Sequence, residues 1–482
     1  MIERARIAAL LGLLLALGAC NGDGEPTTDA APAEATETTS PPATPADPAA
    51  APPQRKGDGR RRVFLIGIDG VSPKLVRPMM QQGRLPTMAS LAREGVFGPI
   101  RSEHPLYSPR IWNSIATGKT PNEHGITAFV HKDENEVKHL YLSSDRQVPA
   151  LWNILSAAGH SVGIVNWWTT YPPEVIDGVM VSDHFFPQQS DLIRNTFQDR
   201  KAITGAVVYP EDCTERATAA RDDTRPIVTV RDPFEGDTGM ASWINAPLLS
   251  AYYRTDAQVA RTAIMVEKEL SPDVMIAFLP GVDRVSHWLW GNLEPEDEYP
   301  EELRPNDAER KAGAQALFKY YEYTDQLLRR LIRPADGDDL VIVLSDHGFE
   351  AGVSLMLLTG LHDTDEAING VLFARGPGVP VGGKPGPASV LDVTPSVLAW
   401  LGIAPAEDMK GRPLGFFETP IPDFVASHDG LEIERLAPAA SGAEDDMIEH
   451  LRALGYLEGE GVDERPAGEG ESAEPAGETG GE

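Results

Sequence analysis

Apolar residues follow two alternating rhythms through the middle of this chain. The runs at 63–68, 161–165, 274–279, 340–344 and 370–374 are short, branched and apolar, as strands buried on both faces require. The stretches 149–158, 256–270, 307–333 and 391–401 carry apolar positions at helical spacing. This alternation predicts an α/β fold: a mainly parallel central sheet with helices on both faces. The segment 185–247 breaks the rhythm, being polar and punctuated by proline. It reads as an inserted cap segment that does not fit the sheet and roofs the site. No internal repeat is evident.

The two ends share neither rhythm. Residues 1–19 open with Arg4 and Arg6, continue as a Leu/Ala-rich stretch and run into Leu17-Gly18-Ala19-Cys20. That pattern is a signal peptide ending like the lipobox of bacterial lipoproteins, and its apolar part is too short for a comfortable membrane span. The expected product is exported and membrane-anchored by lipid on Cys20, facing the periplasm or the cell surface. A plain secretory signal with an incidental cysteine is the alternative. Residues 20–62 are rich in Ala, Pro, Thr, Glu and Asp and bury too little apolar surface to offset their ordering entropy, so they read as a flexible tether. Residues 431–482, with 15 acidic and 3 basic side chains, read as an acidic, mostly disordered tail, although 446–457 has the spacing of a helix able to dock. The folded domain is then 63–430.

Composition narrows the chemistry. Cys20 and Cys213 are the only cysteines, so with Cys20 lipidated no internal disulfide forms and no thiolate metal site exists. Any metal must be held by His, Asp, Glu and hydroxyl groups. A net charge of -31 argues against a nucleic-acid duplex or anionic lipid as principal partner. It permits a small phosphate ester in a metal-lined pocket, where bound dications dominate the local field.

Several of the apolar runs end in polar side chains suited to such a pocket. Leu340 to Leu344 break into Ser345-Asp346-His347-Gly348, and Val63 to Ile68 into Asp69-Gly70. Ligands gather beyond the carboxyl ends of parallel strands, although each motif alone is also compatible with an ordinary turn or helix cap. Ser108 stands before Pro109 as an N-cap would, where it either caps the helix or, with its pKa lowered by a metal, acts as a nucleophile. Asp283 and His287, four apart after the apolar run 274–279, fall on one face of a helical turn. His362 follows in Gly360-Leu361-His362 and gains weight only from this company.

Taken in order, IGIDG, SPRIWNSIATGKTPNEHGI, DRVSH, LSDHG and GLHD resemble the type I phosphodiesterase/nucleotide pyrophosphatase family of the alkaline phosphatase superfamily. The resemblance covers roughly 63–414, with LDVTPSVLAWLGI and DMKGRPL similar to the family's closing elements. It implies an alkaline phosphatase-like catalytic domain with two divalent metal ions, usually zinc. Asp69, Ser108, Asp346 and His347 would hold one ion, and Asp283, His287 and His362 the other. It further implies attack by Ser108 on phosphorus and a phosphoseryl intermediate. Ser108 stands where many members have threonine, and Ser286 where many have glycine, so the loop beside the second ion is shaped differently. The Ser108-Pro109-Arg110 spacing departs from the sulfatase pattern.

Other motifs are weighed against these. Ser182-Asp183-His184-Phe185 imitates a metal motif without its glycine and is taken as a decoy. His124 is expected to be structural or to support a ligand, and Trp167, Trp168, Trp288 and Trp290 to pack in the core rather than stack on substrate. Arg110 and Asn166 are expected to donate to phosphate oxygens. The expected activity is hydrolysis of small phosphate esters, diesters or pyrophosphates ahead of monoesters, since no Lys/Arg pair stands beside the motifs. Arg110, Lys132, Arg146 and Arg284 are nevertheless within reach, so a phosphomonoesterase stays as an alternative. A non-catalytic lipoprotein that keeps the fold for binding is the other, and no protein partner is expected.

Overall fold

Five branched apolar residues in a row need cover on both faces, and 340–344 receive it. In a computed structural model, which describes residues 61–186, 205–294, 304–352 and 359–438, this run lies at the centre of an eight-stranded sheet. The leader, Cys20, the tether up to residue 60, residues 187–204 of the expected cap and the helix at 446–457 lie outside the described residues. Strands are β1 Val63–Ile68, β2 Val96–Arg101, β3 Val130–Lys132, β4 Lys138–Leu140, β5 Val162–Val165, β6 Gly178–Val181, β7 Val208–Tyr209, β8 Val274–Leu279, β9 Leu340–Leu344, β10 Glu350–Ala351, β11 Gly360–Leu361 and β12 Asn369–Arg375.

The sheet runs β2-β12-β9-β1-β8-β5-β6-β7. Its middle, β9-β1-β8-β5-β6, is parallel throughout, and β12, β2 and β7 join by antiparallel pairing. Pairs β3/β4 and β10/β11 form separate hairpins. Alternate residues of the central strands feed two cores. Phe64, Ile66, Val341, Val343, Met275 and Ala277 face one side, packed by helices Pro73–Gln81, Pro86–Glu94, Ala246–Leu270, Gly281–Leu289 and Asp307–Leu331. Val63, Leu65, Ile342, Ile276 and Phe278 face the other, packed by helices Ser108–Thr117, Leu151–Ala157 and Val393–Trp400.

Three expectations are corrected. Segment 185–247 does enter the sheet: Val208–Tyr209 pairs with β6 at its outer edge, and Phe234, Met240 and Ile244 fill the core beside the long helices. A strand of two residues is too short to show a period. The helix expected at 256–270 begins at Ala246, where Asn245 caps it and Pro247 occupies its first turn. The fold also starts earlier than 63, because the buried Arg62 guanidinium pairs with Glu267 at 2.6 Å and donates to the Pro272 carbonyl at 2.8 Å.

Residues 431–438, counted with the acidic tail in the sequence, lie against the domain. Arg435 donates to the carbonyls of Ser143 and Arg146 and approaches Glu174 at 3.4 Å. Glu174 is itself buried and bonded by Arg146, Trp152 and Asn153. A carboxylate with this many donors satisfies the rule that buried charges be paired.

Candidate metal centre

Strands β9, β1 and β8 are adjacent and parallel, so their carboxyl ends open on the same edge. Asp69 follows β1, Asp346 and His347 follow β9, and helix Gly281–Leu289 follows β8 with Asp283 and His287 on one face. His362 follows β11, whose hairpin is held over the edge by the bond from Thr359 N–H to the His287 carbonyl. Gly70 takes a positive φ of 67° in the turn after Asp69, where a Cβ would lie 2.7 Å from the Asp283 backbone. Only glycine lets the Asp69 and Asp283 segments come this close.

Six of the predicted ligands thus meet, all nearly or wholly buried: Asp69, Asp283, His287, Asp346, His347 and His362. One ligand atom each from Asp69, Asp346 and His347 lie within 4.8 Å of one another, and so do those of Asp283, His347 and His362. His347 Nε2 is common to both sets, 3.5 Å from Asp69 Oδ1, 3.4 Å from Asp346 Oδ2 and 3.9 Å from Asp283 Oδ1. His287 Nε2 adjoins at 3.5 Å from Asp283 Oδ1. Ser286 lies buried in the same helical turn and leaves that approach intact.

The rings are aimed from behind. His287 Nδ1 faces the Gly360 carbonyl at 2.9 Å and His347 Nδ1 the Gly348 carbonyl at 3.0 Å. A carbonyl only accepts, so Nδ1 carries the proton and each Nε2 lone pair points into the site. Phe349 supplies an apolar wall against His287, His347 and His362. Its place directly after the Asp-His-Gly motif was the signal for it in the sequence.

The donors fit a cation. Asp69 Oδ1, Asp283 Oδ1, Asp346 Oδ2 and His347 Nε2 are buried and have no hydrogen-bond partner, a costly state unless something positive sits among them. Among the described residues, the ion-pair partners of these carboxylates are all histidines. Burial, then Asp346 and Asp283, hold the Asp69 carboxyl well above the usual range, and burial pushes Asp346 up to about 7. Burial, with His347 and His287 nearby, pushes His362 down. Each shift disfavours charge in the cluster by itself, and divalent ions reverse that balance. Nitrogen and oxygen donors without thiolate suit zinc or a similar divalent metal.

The type I phosphodiesterase/nucleotide pyrophosphatase family model matches residues 63–388. The chain belongs to this family. Among solved structures, the chain is similar to a 2-O GAG sulfatase, with 14% identity and a TM-score of 0.46, covering 74% of this chain and 73% of that one. It is similar to phosphonoacetate hydrolase from Sinorhizobium meliloti 1021, with 16% identity and a TM-score of 0.39 over 61% and 58% of the two chains. It is also similar to human ectonucleotide pyrophosphatase/phosphodiesterase 5, with 11% identity and a TM-score of 0.41 over 71% and 96%. No curated protein matches the sequence.

Ser108 opens helix Ser108–Thr117 from its first turn, one place inside the expected cap position, which falls to Tyr107. Tyr107 makes no side-chain capping bond, and Ser108 is buried in the first turn. The loop before Ser108 is tied to the loop that carries His362 by Asp363, which accepts Leu106 N–H at 3.1 Å and lies 3.3 Å from His104 Nδ1. Asp363 stands in the GLHD motif, but its partner two residues before Ser108 is a tertiary contact.

Two expected phosphate donors each give a nitrogen to backbone carbonyls. Arg110 gives Nη1 to the carbonyls of Glu103 and Pro105, bracing the loop before the helix. Asn166 sits at φ 64°, a conformation asparagine tolerates, and donates to the Phe278 carbonyl at 3.1 Å. The imitation motif is structural: Asp183 accepts from the amides of Thr169 and Thr170, and His184 stacks on Tyr171. His124 is buried between Ser114 Oγ and the Ile126 amide, and burial pushes its pKa down to about 3. Trp167 and Trp290 are core residues, while Trp168 and Trp288 are only partly buried and pack against the two cores.

Proposed function

We propose that the protein is an exported two-metal hydrolase of phosphodiester or pyrophosphate bonds in which Ser108 is the nucleophile. The observation that carries this reading is the buried cluster of partnerless carboxylate oxygens and imidazole nitrogen at the ends of β9, β1 and β8. Asp69, Asp346 and His347, with Ser108, would hold one ion, and Asp283, His287 and His362 the other. Bound divalent metals supply positive charge that lowers the serine pKa and neutralises phosphoryl oxygens. Ser108 Oγ forms its bond to phosphorus as the bond to the leaving oxygen breaks, and water then cleaves the Oγ–phosphorus bond. The amino end of helix Ser108–Thr117 favours the negative charge that gathers at Oγ and the phosphoryl group.

Of the four cations within reach of the motifs, three have partners of their own, while Arg284 Nη1 is buried without one. The diester or pyrophosphate reading therefore rests on the family and on the test below. Arg110 braces Glu103 and Pro105, Lys132 pairs with Glu136 at 2.7 Å, and Arg146 is buried on Glu174. The soluble domain beginning at Arg61 is expected to give kcat/KM at least about tenfold higher for bis-p-nitrophenyl phosphate than for p-nitrophenyl phosphate, a difference of about 1.4 kcal/mol. The reverse preference would favour the monoesterase.

The export part of the proposal rests on Arg4, Arg6 and the Leu-Gly-Ala-Cys pattern. Among the described residues no helix is long and apolar enough to cross a membrane. Metabolic labelling with palmitate is expected to mark the wild type and to be lost in Cys20→Ser. Equal labelling of both would refute the anchor.

A further inference from the structure

Helix Gly281–Leu289 carries Asp283 in its first turn and His287 one turn later, yet it lacks a cap of its own. The residue before it is Pro280, which makes no side-chain capping bond. The Gly281 N–H is bonded instead by Asp256, 25 residues away on helix Ala246–Leu270, whose Oδ1 accepts it at 3.1 Å. The second oxygen, Asp256 Oδ2, accepts the Tyr320 hydroxyl at 3.0 Å, from the long helix Asp307–Leu331. Both Asp256 and Tyr320 are wholly buried.

The fit depends on glycine. A Cβ at position 281 would lie 2.0 Å from the Tyr320 hydroxyl and 2.4 Å from Asp256 Oδ2, so no other residue lets the carboxyl reach the backbone. A buried carboxyl is expensive here, since desolvation pushes Asp256 up to about 7. The phosphoryl transfer itself does not use this group. Its partners tie three helices at the point where the ligand helix begins, and a shift there would carry Asp283 and His287 with it. Asp283 Oδ1 is the atom that meets His287, His347 and His362, at 3.5, 3.9 and 3.8 Å.

We propose that Asp256, braced by Tyr320, is a positioning residue that caps helix Gly281–Leu289 from outside and sets Asp283 and His287 in register with His362 for one of the two metal ions. The inference rests on the two-metal reading above. The anchor acts on the ion held by Asp283, His287 and His362, and not on the one held by Asp69 and Asp346.

Zinc stoichiometry and affinity of the purified domain, measured by competition with a chromogenic chelator, test this with Asp256→Ala, Asp256→Asn and Tyr320→Phe. Asp256→Ala is expected to weaken one zinc equivalent by about 10- to 100-fold, the usual effect of losing support behind a ligand, and to leave the other unchanged. Asp256→Asn keeps an acceptor for Gly281 N–H and a donor for the Tyr320 oxygen, and is expected to restore most of that affinity. Tyr320→Phe keeps the ring and is expected to weaken the same equivalent to a lesser degree. Wild-type binding of both equivalents by Asp256→Ala would overturn the proposal alone. So would equal weakening of both, or, where the alanine variant does not fold, wild-type binding of both by Tyr320→Phe. A wild type that binds no zinc would overturn the metal reading itself and this inference with it.

Discussion

Ser108→Ala is expected to lower diester turnover by about a thousandfold or more, the scale seen when a covalent nucleophile is lost. The folded state should hardly notice. Ser108 lies in the first turn of its helix, and alanine is favoured in a helix. The metal cluster also keeps Asp69, Asp346 and His347 for the first ion, whose ligand atoms converge without the serine. Ser108→Thr is expected to retain much of the activity, because it keeps the hydroxyl and adds only a methyl group. Turnover of bis-p-nitrophenyl phosphate, elemental analysis and thermal denaturation on one preparation check all three statements. Wild-type-like turnover by the alanine variant would remove the nucleophile assignment. Loss of metal and of melting temperature together would make Ser108 a structural ligand instead.

What was legible in the sequence follows from burial. A run such as Leu340 to Leu344 has to be covered on both faces, so the point where it gives way to Asp346 and His347 marks the exit from the core. The same logic exposed Asp69, and Asp283 with His287 after β8. Strand β2 stayed hidden because Val-Phe-Gly-Pro-Ile-Arg contains Gly98 and Pro99, tolerated only at the sheet edge where the strand lies. Partners were not legible at all. Arg110 and Asn166 have the chemistry of phosphate donors, and only the fold reveals the carbonyls of Glu103, Pro105 and Phe278 in front of them. Asp256 reads as the first residue of the helix expected at 256–270, until the fold sets it within Ala246–Leu270 and brings Gly281 against it. A dipeptide is equally mute without its surroundings: Asp183-His184 and Asp346-His347 end similar apolar runs, but the first meets two backbone amides and an aromatic ring.

Removing the metal is expected to abolish activity and to lower the melting temperature by about 10 °C at pH 8, a shift equivalent to a few kcal/mol of ligand binding. The untreated enzyme should contain about two equivalents of zinc or a similar divalent ion. The loss on chelation should shrink as pH falls. Without metal, burial and the neighbouring carboxylates raise Asp69 and Asp346, the latter to about 7 from an ordinary value of 3.8. A carboxyl whose pKa is higher folded than unfolded stabilises the fold while protonated. That contribution is complete below about 4 and is lost as pH rises through about 7. The metal-free protein should therefore melt higher at pH 5.5 than at pH 8, apart from its other titrating groups. The loaded protein should show the smaller change, because the ions keep these carboxylates charged and binding releases their protons. Asp346→Asn removes one of the titrating groups and is expected to flatten the metal-free profile between those values. Calorimetry of both forms at the two pH values decides the matter. A chelated protein that stays active, or one that melts higher at pH 8 than at pH 5.5 in a way Asp346→Asn leaves unaltered, would mean that these carboxylates are not held apart by metal.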